Sequence, residues 1–387
     1  MRDRSIWELA PGATELKLPA IPKHDAFVKQ SGLRVNILAL GDVGATLLLG
    51  LKTLGGGLVE RIGIYDVNRE AMARYEMEMN QVGWPFGEKK LPEVVCLDED
   101  DLFDCDMFVF CASKAVPPVG AEGDVRMMQL EANSKIVCRY AHMAGEKGFR
   151  GIFAVVSDPV DPLCKAALMA SGYSGHLGHS EHSEASEPSE PSESSESSEP
   201  SEHSGPSEHS EHSEHSEASG SFESLGCRGL SPAQIRGYGL GVMNKRAEYY
   251  ASGDCRFASY LTEGRAFGPH GEDLVIANSI ANYDDEISRQ LTELTVSANL
   301  KVRELGFKPY IAPALSSGAM SLLLTLRGEW NYSSVYLGCG PEGAFLGIKN
   351  RIDFSSGRVI VEDLPLPQGL YERIEKAYRN LCELNQK

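Results

Sequence analysis

The stretch "LRVNILALGDVGATLLLGLKTLGGGLVERIGIYDVN", residues 33–68, sets two apolar runs on either side of a glycine turn and a helical pattern. "LRVNILAL" (33–40) suits a strand buried on both faces. "GDVGATLLLGLKTLGG" (41–56) turns tightly on glycine, continues with apolar residues at helical spacing and ends in glycines. "RIGIYDVN" (61–68) is a second apolar run that ends in Asp66. "DMFVFCAS" (106–113) and "GIFAVVSDPVD" (151–161) repeat the arrangement, each buried run closing in small or polar residues. Strands alternating with helices predict an α/β fold with a doubly wound parallel sheet and right-handed crossovers.

Such a sheet binds ligands at the carboxyl ends of its strands. The first turn, "ALGDVG" (39–44), is a dinucleotide fingerprint whose leading glycine is replaced by Ala39. Gly41 lets the backbone approach a pyrophosphate, and Gly44 lets the helix pack close to the strand. Ala39, Gly41, Asp42, Val43 and Gly44 together are the expected cofactor cradle, with the phosphates at the helix N-terminus. Asp66, 25 residues beyond Gly41, suits a carboxylate that receives the adenosine ribose hydroxyls, which favours NAD over NADP. A glycine turn alone would equally serve packing. Strand, turn, helix, second strand and terminal acid in that order favour binding.

Composition bounds the rest. The chain has 387 residues, enough for two domains with cores, and 42% are hydrophobic, as in soluble globular proteins. No apolar run has the length of a membrane span, and the first 30 residues lack an apolar signal core. Nine cysteines are scattered singly without metal or redox spacing, so no metal is expected and a reducing cytoplasm is the simplest setting. The net charge is −18, but residues 172–224 hold thirteen glutamates and no lysine or arginine. Without those glutamates 42 acids face 37 bases, so the remainder carries −5. No basic stripe exists to neutralise phosphates, which disfavours a nucleic-acid partner.

The acidic stretch repeats serine, glutamate and a variable third residue, and seven of the ten histidines lie in it or at its edge. It has almost no apolar surface to offset ordering entropy and is expected to be a disordered insertion. Four segments follow: an N-terminal arm over 1–32, a dinucleotide-binding domain over 33–172, the Ser/Glu/His-rich insertion over 173–225, and a catalytic domain over 226–387. The arm is expected to pack on a neighbouring subunit or to cover its own domain.

The order "ALGDVG", "IYDVN", "DCDMFVFCAS", "VVSDPVD", "SPAQIRGYGLG" and "GPHG" resembles the lactate and malate dehydrogenases over roughly residues 34–170 and 228–384. The resemblance implies a Rossmann domain followed by a mixed α/β catalytic domain, assembled as a homo-oligomer, dimer or tetramer. It implies hydride transfer between NAD and a small 2-hydroxy or 2-keto acid, with no membrane partner. The proton-transferring histidine falls on His270 in "RAFGPHGED" (265–273), where a lone glycine-flanked histidine would otherwise be a solvated turn residue. The substrate-carboxylate clamp falls on Arg246 in "YGLGVMNKRAEYY", and the carbonyl-polarising, substrate-touching arginine on Arg126 in "GDVRMMQLEAN", in register with Asn133, which is expected near the cofactor.

The sequence departs from the family in several places. The acid that orients the histidine aligns with Met243, whose thioether accepts no ring proton. The asparagine that touches substrate and nicotinamide aligns with Asp158, which would repel a substrate carboxylate but would also serve as a replacement partner for His270. The active-site loop, "SKAVPPVGAEGDVR", is about four residues longer than in typical lactate or malate dehydrogenases and resembles the longer loop of hydroxyisocaproate dehydrogenases. It lacks the family arginine that contacts cofactor phosphates, with Lys114 or nothing in its place. Ala314 takes the place of a threonine that often lines the substrate pocket. Two function classes fit: an NAD-dependent 2-hydroxy-acid oxidoreductase preferring a neutral or bulky side chain, and a catalytically degenerate relative that binds dinucleotide in a regulatory or structural role.

Overall fold

Each inner strand of the sheet is buried on both faces because its side chains alternate between two apolar layers. In β4 (Met107–Phe110) and β5 (Ile152–Val155), Met107, Val109, Ile152 and Ala154 join one core, whereas Phe108, Phe110, Phe153 and Val155 join the other. With period two, a one-residue slip would exchange the layers, so this pattern fixes the register. The first layer is capped by Leu47, Leu48 and Leu51 of helix α1 (Asp42–Leu54). The second is capped by Val137, Tyr140 and Ala141 of α3 (Val125–Glu146) and Leu163, Ala167 and Leu168 of α4 (Val160–Ala170). Phe108 is fully buried among Phe103, Tyr140 and Phe153, and truncating such a residue to alanine costs about 3–5 kcal/mol.

The computed structural model describes residues 3–10, 32–114, 125–173, 229–338 and 340–384, with side chains in the third span from 129 onward. Strands β1 (Leu33–Leu38), β2 (Val59–Tyr65) and β3 (Glu93–Cys96) pair in parallel, with α2 (Arg69–Asn80) between the last two. On the other side of β1 stand β4, β5 and β6 (Ile235–Gly237), also parallel. The order β3-β2-β1-β4-β5-β6 is the doubly wound one: all six strands run parallel, and the order in which they are added reverses at the β1/β4 boundary. The same sheet continues through β9 (Asn331–Leu337), β10 (Ala344–Asp353) and β11 (Arg358–Val361), all antiparallel. A separate hairpin pairs β7 (Arg265–Phe267) with β8 (Val275–Ala277). Helices α5 (Leu240–Gly253), α6 (Asp285–Glu304), α7 (Ser321–Leu326) and α8 (Gln368–Leu384) complete the second half, with a π-helical stretch at Pro313–Met320 before α7.

Both halves contribute strands to one sheet, and the described residues belong to one compact unit. The tract expected to be disordered lies outside the described residues, apart from its first residue, Tyr173. Of the arm, residues 3–10 cover their own domain: Ile6 and Leu9 are buried, and Arg4 and Leu366 exchange backbone hydrogen bonds of 3.0 and 2.8 Å.

Candidate active site

The turn after β1 keeps its shape without a leading glycine. Ala39 takes a left-handed φ of +76° and donates its N–H to Tyr65 O at 2.8 Å. A non-glycine residue in that region costs about 1–2 kcal/mol, so the surrounding contacts impose the conformation. Gly44 has no alternative, because a Cβ there would overlap the Ala39 carbonyl oxygen. Gly41 is the reverse case: a Cβ would meet nothing within 4 Å, and as N-cap of α1 it offers no side-chain acceptor. The first N–H groups of a helix lack intrahelical partners. An uncapped helix start with open space beside its glycine fits a pyrophosphate. Val43 is half-buried against the core. Asp66 sits at the carboxyl end of β2, its Oδ2 accepting from Leu40 N at 2.7 Å and its Oδ1 from Asn68 N at 2.8 Å. The first of these fastens the carboxylate to the glycine turn. Asp42, in the first turn of α1, pairs with Lys308 Nζ at 2.9 Å.

The second cluster forms where the β7–β8 turn meets the end of β5. Gly268 (φ +92°) and Gly271 (φ +137°) bend the chain on either side of His270. His270 Nδ1 lies 3.0 Å from Asp158 Oδ1, with the histidine side chain 12% and the aspartate side chain 57% exposed. The ring's Nε2 is buried and has no hydrogen-bond partner among the described residues. Met243 is buried on α5. Asp158 thus stands beside His270, as the sequence suggested for a replacement partner.

Arg246, one turn along α5, is half-buried. Its partners among the described residues are neutral: Met243 Sδ at 3.6 Å and Asn299 Oδ1 of α6. Burial lowers its pKa, while the charges of Tyr250 and Asp158 act in the opposite direction. Asn133 is fully buried: its Oδ1 accepts from Lys114 N at 2.8 Å and its Nδ2 donates to Asp158 O at 2.8 Å. It therefore holds the backbone at the ends of β4 and β5. Arg126 is the second residue of α3, but its side chain, like loop residues 115–124, lies outside the described residues. Ala314 is fully buried in the π-helical stretch.

Sequence patterns did not single out four residues that shape the site. Asp161, at the start of α4, is buried beside His270. Burial pushes its carboxyl up to about 6, while the Ser334 hydroxyl, the His270 charge and the His270 backbone N–H pull it down. Gly239 gives room for the His270 ring, Asn299 holds Arg246, and Lys308 meets Asp42. Gly239 and Asp161 lay within the quoted "SPAQIRGYGLG" and "VVSDPVD", whereas Asn299 and Lys308 fell in no quoted motif.

A cavity of about 400 Å³ connects Leu130, Asp158, Asp161, Met243, His270 and Asn299. A larger one, about 600 Å³, lies between Gly32, Leu54 and Trp84 at the amino ends of β1 and β2. The smaller lies beyond the carboxyl end of β5, the side on which open α/β sheets bind ligands. Among the described residues no three metal-binding side chains cluster and no helix is long and apolar enough to cross a membrane.

Residues 33–176 match the family model described as lactate/malate dehydrogenase, NAD binding domain. The L-lactate dehydrogenase of Treponema denticola is 32% identical over 140 residues, 36% of this chain and 41% of that protein. That of Geobacillus stearothermophilus is 30% identical over 135 residues, 35% of this chain and 40% of that protein. The match thus spans about two fifths of the curated relatives' length. A lactate dehydrogenase from a Medee basin deep-sea metagenome library shares the fold at TM-score 0.63 and 18% identity, covering 92% of this chain and 98% of the other. The malate dehydrogenase of Picrophilus torridus does so at TM-score 0.62 and 16% identity, covering 92% and 96%. Residues 33–176 thus form an NAD-binding domain of the lactate/malate dehydrogenase type.

Proposed function

We propose that this protein interconverts a 2-hydroxy acid and a 2-keto acid with NAD, and that Asp158 and His270 form its proton-transferring pair. The observation that carries this reading is the 3.0 Å contact between His270 Nδ1 and Asp158 Oδ1 at the exposed edge of the cavity. NAD, when bound, accepts or returns the hydride. The protein's own groups do the rest. The pair takes the hydroxyl proton in oxidation and returns it to the ketone oxygen in reduction, a task for which imidazole chemistry near neutral pH is suited. Arg246, held by neutral partners, has guanidinium charge to spend on the substrate carboxylate. Arg126 polarises the carbonyl, Ala39 to Gly44 and Asp66 hold the cofactor, and Asn133 keeps Asp158 and Lys114 in place. A homo-oligomer in a reducing cytoplasm is part of the same reading; the seven described cysteines are free thiols.

The substrate side chain is neutral and bulky. Leu130, Val160, Met243 and Val296 give the cavity an apolar wall, and the loop sequence "VPPVGAEGD" supplies valine and proline but no cation. A second substrate carboxylate would be left unpaired there, at a cost of several kcal/mol.

One observation favours the second reading, a dinucleotide-binding protein without turnover: His270 Nε2 is buried and has no acceptor among the described residues. NADH oxidation against a panel of 2-keto acids decides between them. Turnover of 2-ketoisocaproate that is lost in His270→Gln supports the enzyme. NADH binding without turnover of any keto acid across the pH range overturns it.

A further inference from the structure

The phosphate-facing turn carries an acid. Asp42 occupies the first turn of α1, next to the open side of Gly41, where the pyrophosphate of a dinucleotide would bring two negative charges. A carboxylate suits a helix N-terminus on its own but competes there with an anionic ligand. The structure places one cation against it: Lys308 Nζ, 2.9 Å from Asp42 Oδ2.

That lysine is far away in sequence, and packing brings it there. The π-helical stretch Pro313–Met320, which begins five residues after Lys308, is locked onto α1 through small residues. A Cβ on Gly50 would lie 2.5 Å from Ala319 Cβ and 2.9 Å from Leu315 Cδ2, and one on Gly318 would lie 2.8 Å from Leu47 Cδ1. The segment that carries Lys308 is therefore fixed relative to α1. Its side chain is 78% exposed and that of Asp42 48%, so the pair is solvated and weak, and the ammonium retains donors for another anion.

We propose that Lys308 is a cofactor-binding residue: its ammonium bridges Asp42 and the cofactor pyrophosphate, converting an acid-bearing turn into a phosphate-accepting one. The proposal rests on the NAD-binding assignment of residues 33–176 and adds to it a contact from the other half of the chain.

The test is ligand binding, read by fluorescence for NADH and by calorimetry for ADP and adenosine, with melting curves to verify folding. Lys308→Ala should weaken NADH and ADP about 5- to 10-fold and leave adenosine, which has no phosphate, unchanged. Asp42→Asn should tighten NADH about threefold, and the double variant should return close to the wild type. The difference between wild type and Lys308→Ala should shrink at high salt. NADH affinity unchanged by Lys308→Ala, or an equal loss for adenosine and ADP, would overturn the bridge while leaving the NAD assignment intact. A wild type that binds neither NADH nor ADP would overturn both.

Discussion

A methyl group on Gly239 would stand 2.7 Å from Cβ and 3.0 Å from Cγ of His270. The glycine before α5 therefore sets where the imidazole lies. Gly239→Ala should push the ring away from Asp158 and lower kcat about 10- to 100-fold, because small displacements of a catalytic group are costly. NADH affinity should hardly change, since the glycine turn is elsewhere. Steady-state kinetics alongside NADH fluorescence titration check this; an unchanged kcat would show that the ring position is not critical.

In the proposed reading Asp158 has two opposed effects: it partners His270, and its charge, felt at Arg246, would repel a substrate carboxylate bound there. Asp158→Asn should separate them. Loss of the charged partner should lower kcat about tenfold or more, while loss of repulsion should lower KM for the keto acid. If kcat holds and only KM moves, His270 works without this acid.

The buried Asp161 gives a stability signature. Its carboxyl is raised from 3.8 to about 6. Between those values the native state keeps a proton that the unfolded chain has released, so stability from this group is lost as pH rises through the window and the full penalty stands above 6. Asp161→Asn keeps the shape and does not titrate. Its stability relative to wild type should therefore rise by roughly 2–3 kcal/mol between pH 4 and pH 6.5, the worth of about two pKa units. Urea unfolding at the two pH values measures it; a constant difference would mean that Asp161 titrates normally.

Much of this was legible in sequence because it depends on short-range pattern. β1, the glycine turn, α1 and β2 follow from apolar period and glycine placement within 33–68, and Ala39 occupies its strained position although it breaks the fingerprint. The partnership of Asp158 with His270 was suggested by a pair of departures, a lost acid and a gained one. The sixth parallel strand has only three residues, Ile235–Gly237, too few for any periodicity. Asn299 on Arg246 and Lys308 on Asp42 join positions 53 and 266 residues apart, and no local pattern encodes such contacts. The buried state of Asp161 comes from packing around α4, which a lone acid in "DPVD" does not reveal.

The two flanks of the Ser/Glu/His-rich tract meet. A Cβ on Gly172 would lie 3.9 Å from Gly229 Cα, one on Gly229 would overlap the backbone of Gly172 and Tyr173, and Leu230 N donates to Ser171 Oγ at 3.0 Å. The described residues on either side of the tract, Tyr173 and Gly229, thus lie next to each other, so a short connection suffices to join them. Deleting residues 175–222 brings the ends within reach of the few residues that remain plus a short glycine linker. Loop-closure free energy changes slowly with length, and the tract's composition offers little apolar surface to pack. The deleted protein should melt within a few degrees of the full chain and bind NADH with the same affinity. A drop of ten degrees or more in Tm, or a loss of NADH binding with the melt preserved, would show that the tract stabilises the fold or reaches the cofactor site.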